Sequence, residues 1–171
     1  SYITDATGEA RAELTMGSTV GNVVVQAEVP GLEGSPVVFD DLYARAGDAV
    51  KMEYVSGNNQ SGIGGHPLDE PFKVQVFDVG NNPVYGWQVT FQDIQGGGFP
   101  SETQPVLTDE QGIAQTTWIL GTENVENIIH AISEGLDGSP IVFTAQAIGG
   151  VADSMQYISG NNQSGTVAQP L

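Results

Sequence analysis

Five acidic residues form the set of side chains in this sequence that is best suited to bind a metal ion. Carboxylate oxygens are preferred ligands of Ca²⁺, and ligands from linker loops can stiffen neighbouring domains by bridging them. The spacing of the five matches neither an EF-hand loop nor a nonapeptide calcium repeat, and such acids are usually solvated surface residues. The sequence therefore requires no cofactor, and calcium is a hypothesis for Asp40, Asp41, Asp48, Asp69 and Glu70.

Residues that commonly carry catalysis are scarce. The chain has two histidines and no cysteine, and no HExxH spacing is present for zinc. His66 lies in a Gly-Gly-His-Pro turn and His130 alternates with apolar residues, so both are predicted to be exposed. The turn Gly96-Gly97-Gly98 lacks the Lys-Ser/Thr of a phosphate-binding loop, and no Gly-x-Ser-x-Gly elbow occurs. We therefore predict that the chain is not an enzyme.

Two tryptophans and two Asn-x-Ser sequences are the other residues with a chemistry of their own. A sugar-binding tryptophan projects from the surface, whereas Trp87 and Trp118 lie in alternating, strand-like segments and are predicted to pack in the core. Asn59 and Asn162 begin formal glycosylation sequons, which we interpret as Asn-rich turns. Intact mass measurement shows whether these asparagines carry a glycan.

The charge of the chain excludes whole classes of partner. Twenty-one Asp and Glu against four Lys and Arg give a formal net charge of −17. Such a surface repels phosphate backbones and anionic membranes, and no stretch approaches the roughly 18 apolar residues that span a bilayer. The sequence therefore predicts neither nucleic-acid binding nor direct membrane insertion.

A long internal repeat organises the chain. The segment Ser56–Gly62 reads Ser-Gly-Asn-Asn-Gln-Ser-Gly and returns unchanged at Ser159–Gly165, 103 residues later. A period near 104 residues is too long for a solenoid repeat and fits a whole small domain. Further pairs, at offsets of 104 or 103, are Thr4-Asp5 with Thr108-Asp109, Gly8 with Gly112, Gly31-Leu32 with Gly135-Leu136, Gly34-Ser35-Pro36 with Gly138-Ser139-Pro140, Phe39 with Phe143, Met52 with Met155, and Tyr54 with Tyr157.

Alternating apolar residues in the complete repeat predict half-buried antiparallel strands separated by Gly- and Asn-rich turns. About seven short strands in roughly 100 residues, with no helical period, is typical of an immunoglobulin-like sandwich. The predicted fold class is all-β, with tandem immunoglobulin-like antiparallel β-sandwich modules. The predicted inward residues are Phe72, Val74, Val76, Trp87, Val89, Phe91, Ala114, Thr116, Trp118, Leu120, Ile129, Ala131, Ile141, Phe143 and Ala145.

The repeat divides the chain into three predicted parts. Residues 1–50 are the C-terminal half of a first module, residues 51–154 are a complete module, and residues 155–171 are the opening strand of a third. The first and last parts together lack counterparts of residues 69–104, which leaves an apolar face and open sheet edges. Either the missing strands precede residue 1 in the same polypeptide, which the counting favours, or a neighbouring chain donates strands.

The ordered motifs resemble the bacterial immunoglobulin-like group 1 domain. As in the invasin and intimin adhesins, the resemblance implies stiff extracellular rods that carry a binding tip away from the cell, with no active-site residues. The motifs that carry it are Ser56–Gly62, Pro71–Val76, Asn82-Pro83-Val84, Val89-Thr90-Phe91, Gly96-Gly97-Gly98, Thr108-Asp109, Gly112, Ala114, Trp118–Gly121, Gly138-Ser139-Pro140 and Phe143-Thr144-Ala145.

The first copy departs from the second at one pair of residues. Asp40-Asp41 stands where the second copy has Thr144-Ala145, in a strand whose alanine is predicted to face inward. A charged residue at an inward position predicts a β-bulge, an altered linker or a metal site at the first junction.

These features predict a non-catalytic structural role. We expect an extracellular spacer or stalk of a large bacterial surface adhesin or filament, whose partners are neighbouring modules in the same or adjacent chains. Three alternatives stay open. They are a module that binds a host glycan or protein through residues 96–104 or the aromatics Tyr85 and Phe99, a filament subunit completed by strands from a neighbouring chain, and an accessory domain beside a secreted enzyme.

Overall fold

The computed structural model of the protein describes residues 3–122, 125–149 and 155–168. Residues 1–2 of the predicted first part, residues 123–124 and 150–154 of the predicted complete module, and residues 169–171 of the predicted third part lie outside these ranges. All regular structure in the described residues is β, and they contain no helix that is long and apolar enough to cross a membrane. The strands are β1 (Gly21–Ala27), β2 (Val37–Ala44), β3 (Ala49–Ser56), β4 (Gln60–Ile63), β5 (Phe72–Asp78), β6 (Gln88–Gln95), β7 (Phe99–Pro100), β8 (Val106–Leu107), β9 (Ile113–Thr116), β10 (Trp118–Ile119), β11 (Glu126–Ile132) and β12 (Ile141–Ile148).

Strands β3 to β12 form two principal sheets. One sheet has the order β3-β5-β9 and the other has the order β4-β12-β11-β6-β8, while β10 and β7 form a short separate pair. Every pairing is antiparallel except that of β4 with β12, which is parallel. An immunoglobulin-like sandwich divides its strands between two facing sheets in the same way. Here β3, β5 and β9 form one sheet, and β6 lies with the last two strands, β11 and β12, in the other. The predicted all-β sandwich is confirmed.

The core lies between the two sheets, because alternate residues of each strand point to the same face. The ring of Phe72 in one sheet stacks on that of Phe143 in the other, with ring centroids 4.7 Å apart, and Trp118 packs beside Phe72. Of the predicted inward residues, Trp87 and Ile141 are half-buried at the margin of the core and the others are buried. Trp118 is fully buried as predicted.

Strands β1 and β2 form a two-stranded hairpin in residues 1–50 that matches β11 and β12 of the complete repeat. Val25 pairs with Phe39, just as its counterpart Ile129 pairs with Phe143. The register then shifts, and Val23 pairs with Leu42. The extra residue on β2 falls in Asp40-Asp41, so the charged pair forms a β-bulge. The bulge, one of the three explanations predicted for these aspartates, is present in the structure.

Three turns have the same backbone geometry in both copies of the repeat. Asp5 and Asp109 each accept hydrogen bonds from backbone N–H groups two and four residues ahead through Oδ1. The turn after Val29 repeats the hydrogen bonds of the turn after Ser133. The third turn contains the two Asn-Asn pairs and is described below. Described residues 155–168 form no strand, and the third module remains a prediction.

Candidate functional site

Asp78, the last residue of β5, is buried at the point where residues 1–50 meet the sandwich. The turn that follows contains Gly80 and Asn82, and it folds back because Asp side chains readily accept hydrogen bonds from backbone N–H groups ahead of them. Asp78 Oδ1 accepts hydrogen bonds from the N–H groups of Gly80 and Asn82, both at 2.8 Å. Its Oδ2 accepts a hydrogen bond of 2.9 Å from the N–H of Gly47, in the segment between β2 and β3.

Asn82 connects this carboxylate to the chain that precedes β1. Its Nδ2 donates to Asp78 Oδ2 at 2.9 Å and to the carbonyl oxygen of Ser18 at 2.7 Å. Its Oδ1 accepts a hydrogen bond of 3.2 Å from the N–H of Val20. We call these five residues, Ser18, Val20, Gly47, Asp78 and Asn82, the Asp78 junction.

The approach of the two backbones at the Asp78 junction depends on a glycine. A Cβ atom added to Gly80 would lie 2.6 Å from the carbonyl oxygen of Ser18 and 2.9 Å from Asn82 Nδ2. Side chains do not tolerate contacts of this length, so any larger residue at position 80 would separate Ser18 from the turn. The junction is therefore a close-fitting contact.

The charge of Asp78 is stabilised where it lies. The hydrogen bond from the Asn82 side chain is the main influence that lowers the pKa of Asp78, and the N–H groups of Asn82, Gly47 and Gly80 act in the same direction. Burial opposes this effect, but the net pKa is below the ordinary aspartate value. Hydrogen bonds to an ionised acceptor are stronger than neutral ones, so the charged carboxylate strengthens the contact between the two parts of the chain.

The sequence predicts Gly- and Asn-rich turns between the strands, of which Gly80–Pro83 is one, but it does not predict the Asp78 junction. The partners of Asn82 lie 62 and 64 residues away in the chain, and no periodicity reports a contact of that kind. The available signal was an aspartate at the end of a buried strand, followed closely by a Gly-Asn-Asn-Pro turn. That pattern predicts a side chain that organises the turn, although not the second segment it binds.

The five candidate calcium ligands lie in three separate segments and are all exposed. Asp40 and Asp41 lie on β2, Asp48 precedes β3, and Asp69 and Glu70 lie between β4 and β5. Nowhere in the described residues do three or more His, Cys, Asp or Glu side chains form a group that could hold a metal ion. Calcium binding stays a prediction, and equal melting temperatures in calcium and in chelator would contradict it.

The other candidate residues lie apart from the Asp78 junction. His66 is exposed as predicted, whereas His130, also predicted to be exposed, is half-buried on the outer face of β11. Asn59 is exposed in its turn, and Gly96 and Gly98 pack closely against Asn127 and Trp118. These positions form no catalytic group with one another in the structure as described.

Two exposed aromatics and one surface groove are the features that bear on the predicted binding alternative. Tyr85 is 73% exposed and Phe99 is 54% exposed. The groove crosses the outer face of β6 and β11, and Trp87, whose indole N–H donates to Ser133 Oγ at 2.8 Å, lies at one end. The polar side chains that line the rest of the groove are Gln88, Thr90, Gln92 and Glu134.

Comparison with known proteins leaves the family open. The chain matches no model of a known protein family, and no curated protein matches it. Among solved structures it is similar to the D00-D0 domain of intimin, with 12% sequence identity and a TM-score of 0.46. The alignment covers 86% of this chain and 76% of the intimin chain. A likeness at this level does not assign a function.

Proposed function

We propose that this chain is a structural spacer from a bacterial surface protein of the immunoglobulin-like group 1 type, exposed outside the cell, in which successive sandwich modules are held by short, stiff contacts. The observation that carries the proposal is the link from Asn82 to Ser18 and Val20. The buried side-chain amide of Asn82 donates a hydrogen bond to Ser18 and accepts one from Val20, so it restricts the movement of the segment that contains both residues. The family resemblance of the sequence motifs supports the same role.

The physical basis of a spacer is resistance to bending and to unfolding under tension. Antiparallel ladders such as β5 with β3 and β9 resist extension because many backbone hydrogen bonds must break together. The Asp78 junction limits bending, because Ser18 and Val20 cannot move away from the turn without breaking their hydrogen bonds to the buried Asn82 side chain. The strong negative charge keeps crowded surface proteins apart in solution.

The junction can be tested by replacing Asn82 with alanine. We expect backbone amides of β1 and β2 to show faster internal motion by NMR relaxation in Asn82→Ala than in the unaltered protein, while amides of β5 and β11 remain unchanged. The matched control is Asn81→Gly, because Asn81 has a positive φ of 61° that glycine adopts freely and its side chain makes no junction hydrogen bond. A hairpin that already tumbles independently in the unaltered protein would contradict a stiff junction.

The surface location is tested separately, on cells. Antibodies raised against this chain should label intact producing bacteria, and external protease should remove the signal. Labelling only after the cells are broken open would contradict an extracellular stalk, whatever the stiffness of the Asp78 junction.

The groove near Trp87 favours one second candidate, a module that binds a neutral glycan. Its amide, hydroxyl and indole groups are the chemistry that recognises sugar hydroxyls, and the groove contains no cationic side chain. Retention on a glycan array that is lost in Gln92→Ala but kept in Gln146→Ala, an exposed position on β12, would support this candidate. Absence of retention by the unaltered protein would contradict it.

A further inference from the structure

We propose that two copies of this chain associate head to tail, with residues 155–166 of one copy docking on β2 and the preceding turn of the other. Inside the complete repeat, the equivalent segments already make this interaction, as β3 and β4 against β12. The proposal stands on the repeat and on exposed surfaces, and it does not depend on the spacer role.

The interaction within the complete repeat shows what such docking involves. Asn58 Oδ1 accepts a hydrogen bond of 2.7 Å from the N–H of Thr144, and the N–H of Asn59 donates to the Thr144 carbonyl at 2.9 Å. Gln60–Ile63 then pair in parallel with residues 145–148 of β12. Tyr54 packs against Phe143 with ring centroids 5.7 Å apart.

The donor segment has the shape required for this interaction. Gly160 and Asn162 have φ angles of 93° and 55°, close to the 99° and 59° of Gly57 and Asn59. The N–H of Asn162 donates to Asn161 Oδ1 at 2.9 Å, as Asn59 does to Asn58. The Tyr157 hydroxyl accepts a hydrogen bond from the N–H of Asn161, as the Tyr54 hydroxyl does from Asn58. The segment is thus preorganised, which lowers the entropic cost of docking.

The counterparts of the two residues in the Tyr54–Phe143 aromatic pair are both exposed in this chain. Phe39 on β2 is 51% exposed, whereas its counterpart Phe143 is fully buried. Tyr157 is 62% exposed and corresponds to Tyr54, the partner of Phe143. Placing Tyr157 of one copy on Phe39 of another would recreate a pair that the sandwich already contains.

The acceptor strand also has an open edge in the correct register. Within the described residues, β2 pairs only with β1, so its other edge is free of strand partners. Beyond the bulge, Leu42 and Ala44 occupy the places of Ala145 and Ala147, because Leu42 pairs with Val23 as Ala145 pairs with Asn127. Parallel addition therefore places Gln163 opposite Leu42 and Gly165 opposite Ala44.

The turn before β2 is also preformed. Gly34 has a φ of 85°, close to the 81° of its counterpart Gly138. In the complete repeat the carbonyl oxygen of Met52 lies against Gly138. No atom lies within 4 Å of a Cβ built on Gly34, so the corresponding space is open. Met155, the counterpart of Met52, is fully exposed and would fill it.

The two copies of the repeat differ at the bulge. Asp40 and Asp41 take the place of Thr144, whose hydroxyl donates to Asn59 Oδ1 at 2.8 Å in the complete repeat. A carboxylate acceptor at this place suits a donor, so the amide of Asn162, the counterpart of Asn59, would dock with its Nδ2 toward β2. Residues 155–168 contain no charged side chain, so the docking segment adds no repulsion of its own. Because one surface binds a different one, the contact is heterologous and can extend into a filament.

The proposal is tested by sedimentation equilibrium of the whole chain at high ionic strength, which screens repulsion between two strongly negative copies. We expect concentration-dependent self-association that Tyr157→Ala or Phe39→Ala weakens by about tenfold, from the loss of an aromatic pair and its buried area. The matched controls are Ile158→Ala and Val38→Ala, since the counterparts Val55 and Val142 remain exposed in the sandwich. These controls should associate like the unaltered chain.

Two results would overturn the proposal. One is a chain that stays monomeric at every concentration. This includes a monomer in which hydrogen exchange shows that residues 155–166 are protected, because the segment would then dock within its own chain. The other is association that the Ile158 and Val38 controls weaken as much as the Tyr157 and Phe39 variants do. Neither result bears on the mobility of β1 and β2, which is measured on the monomer at low concentration.

Discussion

Asp78 satisfies four N–H donors with a single carboxylate, and this makes it the side chain on which both the turn and the junction depend. The donors are the backbone N–H groups of Gly47, Gly80 and Asn82 and the side-chain amide of Asn82. Asp78→Ala would leave these groups without their acceptor. We expect a loss of about 3 kcal/mol in the free energy of unfolding at neutral pH, measured by chemical denaturation.

The lowered pKa of Asp78 gives this contribution a definite pH dependence. Because the folded-state pKa lies below the unfolded value of about 3.9, the stabilisation is complete above that value and is lost as the pH falls through the folded pKa. The difference in stability between the unaltered protein and Asp78→Ala should therefore shrink in strong acid. The control is Glu70→Ala, which removes an exposed carboxylate near the opposite end of β5 from Asp78. A difference that stays constant down to the lowest measurable pH would contradict the assignment.

The turn between β3 and β4 offers a comparison of identical residues in unlike surroundings. Asn58 Oδ1 accepts a hydrogen bond from Thr144, while the repeat-equivalent Asn161 hydrogen-bonds only within its own turn in the described part of the chain. Asn58→Ala should lower the free energy of unfolding by about 1–2 kcal/mol, since the Thr144 N–H loses its acceptor. Asn161→Ala, measured by urea denaturation of dilute protein, should leave the stability unchanged. Equal losses in both variants would show that the local turn, and not the bond between strands, is responsible.

The strands and turns were accessible from sequence because their determinants are local. Alternation predicts that Phe72, Ile129 and Phe143 lie in the core, and a bulge is one of the three features that the charged pair at Asp40-Asp41 predicts. Trp87 was predicted to face inward but is half-buried, because it precedes β6 at the margin of the sandwich and its indole N–H donates to Ser133. The junction at Asp78 was not predictable in this way, because it depends on which distant backbone groups reach the turn.

The molecule as a whole carries a charge that its attractive contacts do not offset. In the described residues the ion pairs are Arg11 with Glu9 and Lys51 with Glu53. Exposed pairs of this kind contribute little to stability. The remaining acids repel one another more strongly in the compact state than in the extended chain, so the repulsion favours unfolding. Salt screens it, with a Debye length of about 8 Å at physiological ionic strength.

Added sodium chloride should therefore raise the melting temperature, most steeply between very low and physiological ionic strength. Circular dichroism of dilute protein measures this, and a variant with Glu110→Gln and Glu134→Gln should show a smaller dependence because it carries less charge. Calcium and magnesium chloride at equal ionic strength separate screening from specific binding, since screening alone raises the melting temperature equally in both. A melting temperature that falls as salt is added would mean that attractive ion pairs dominate. In that case attraction between opposite charges, and not repulsion among the acidic residues, would set the dependence of stability on salt.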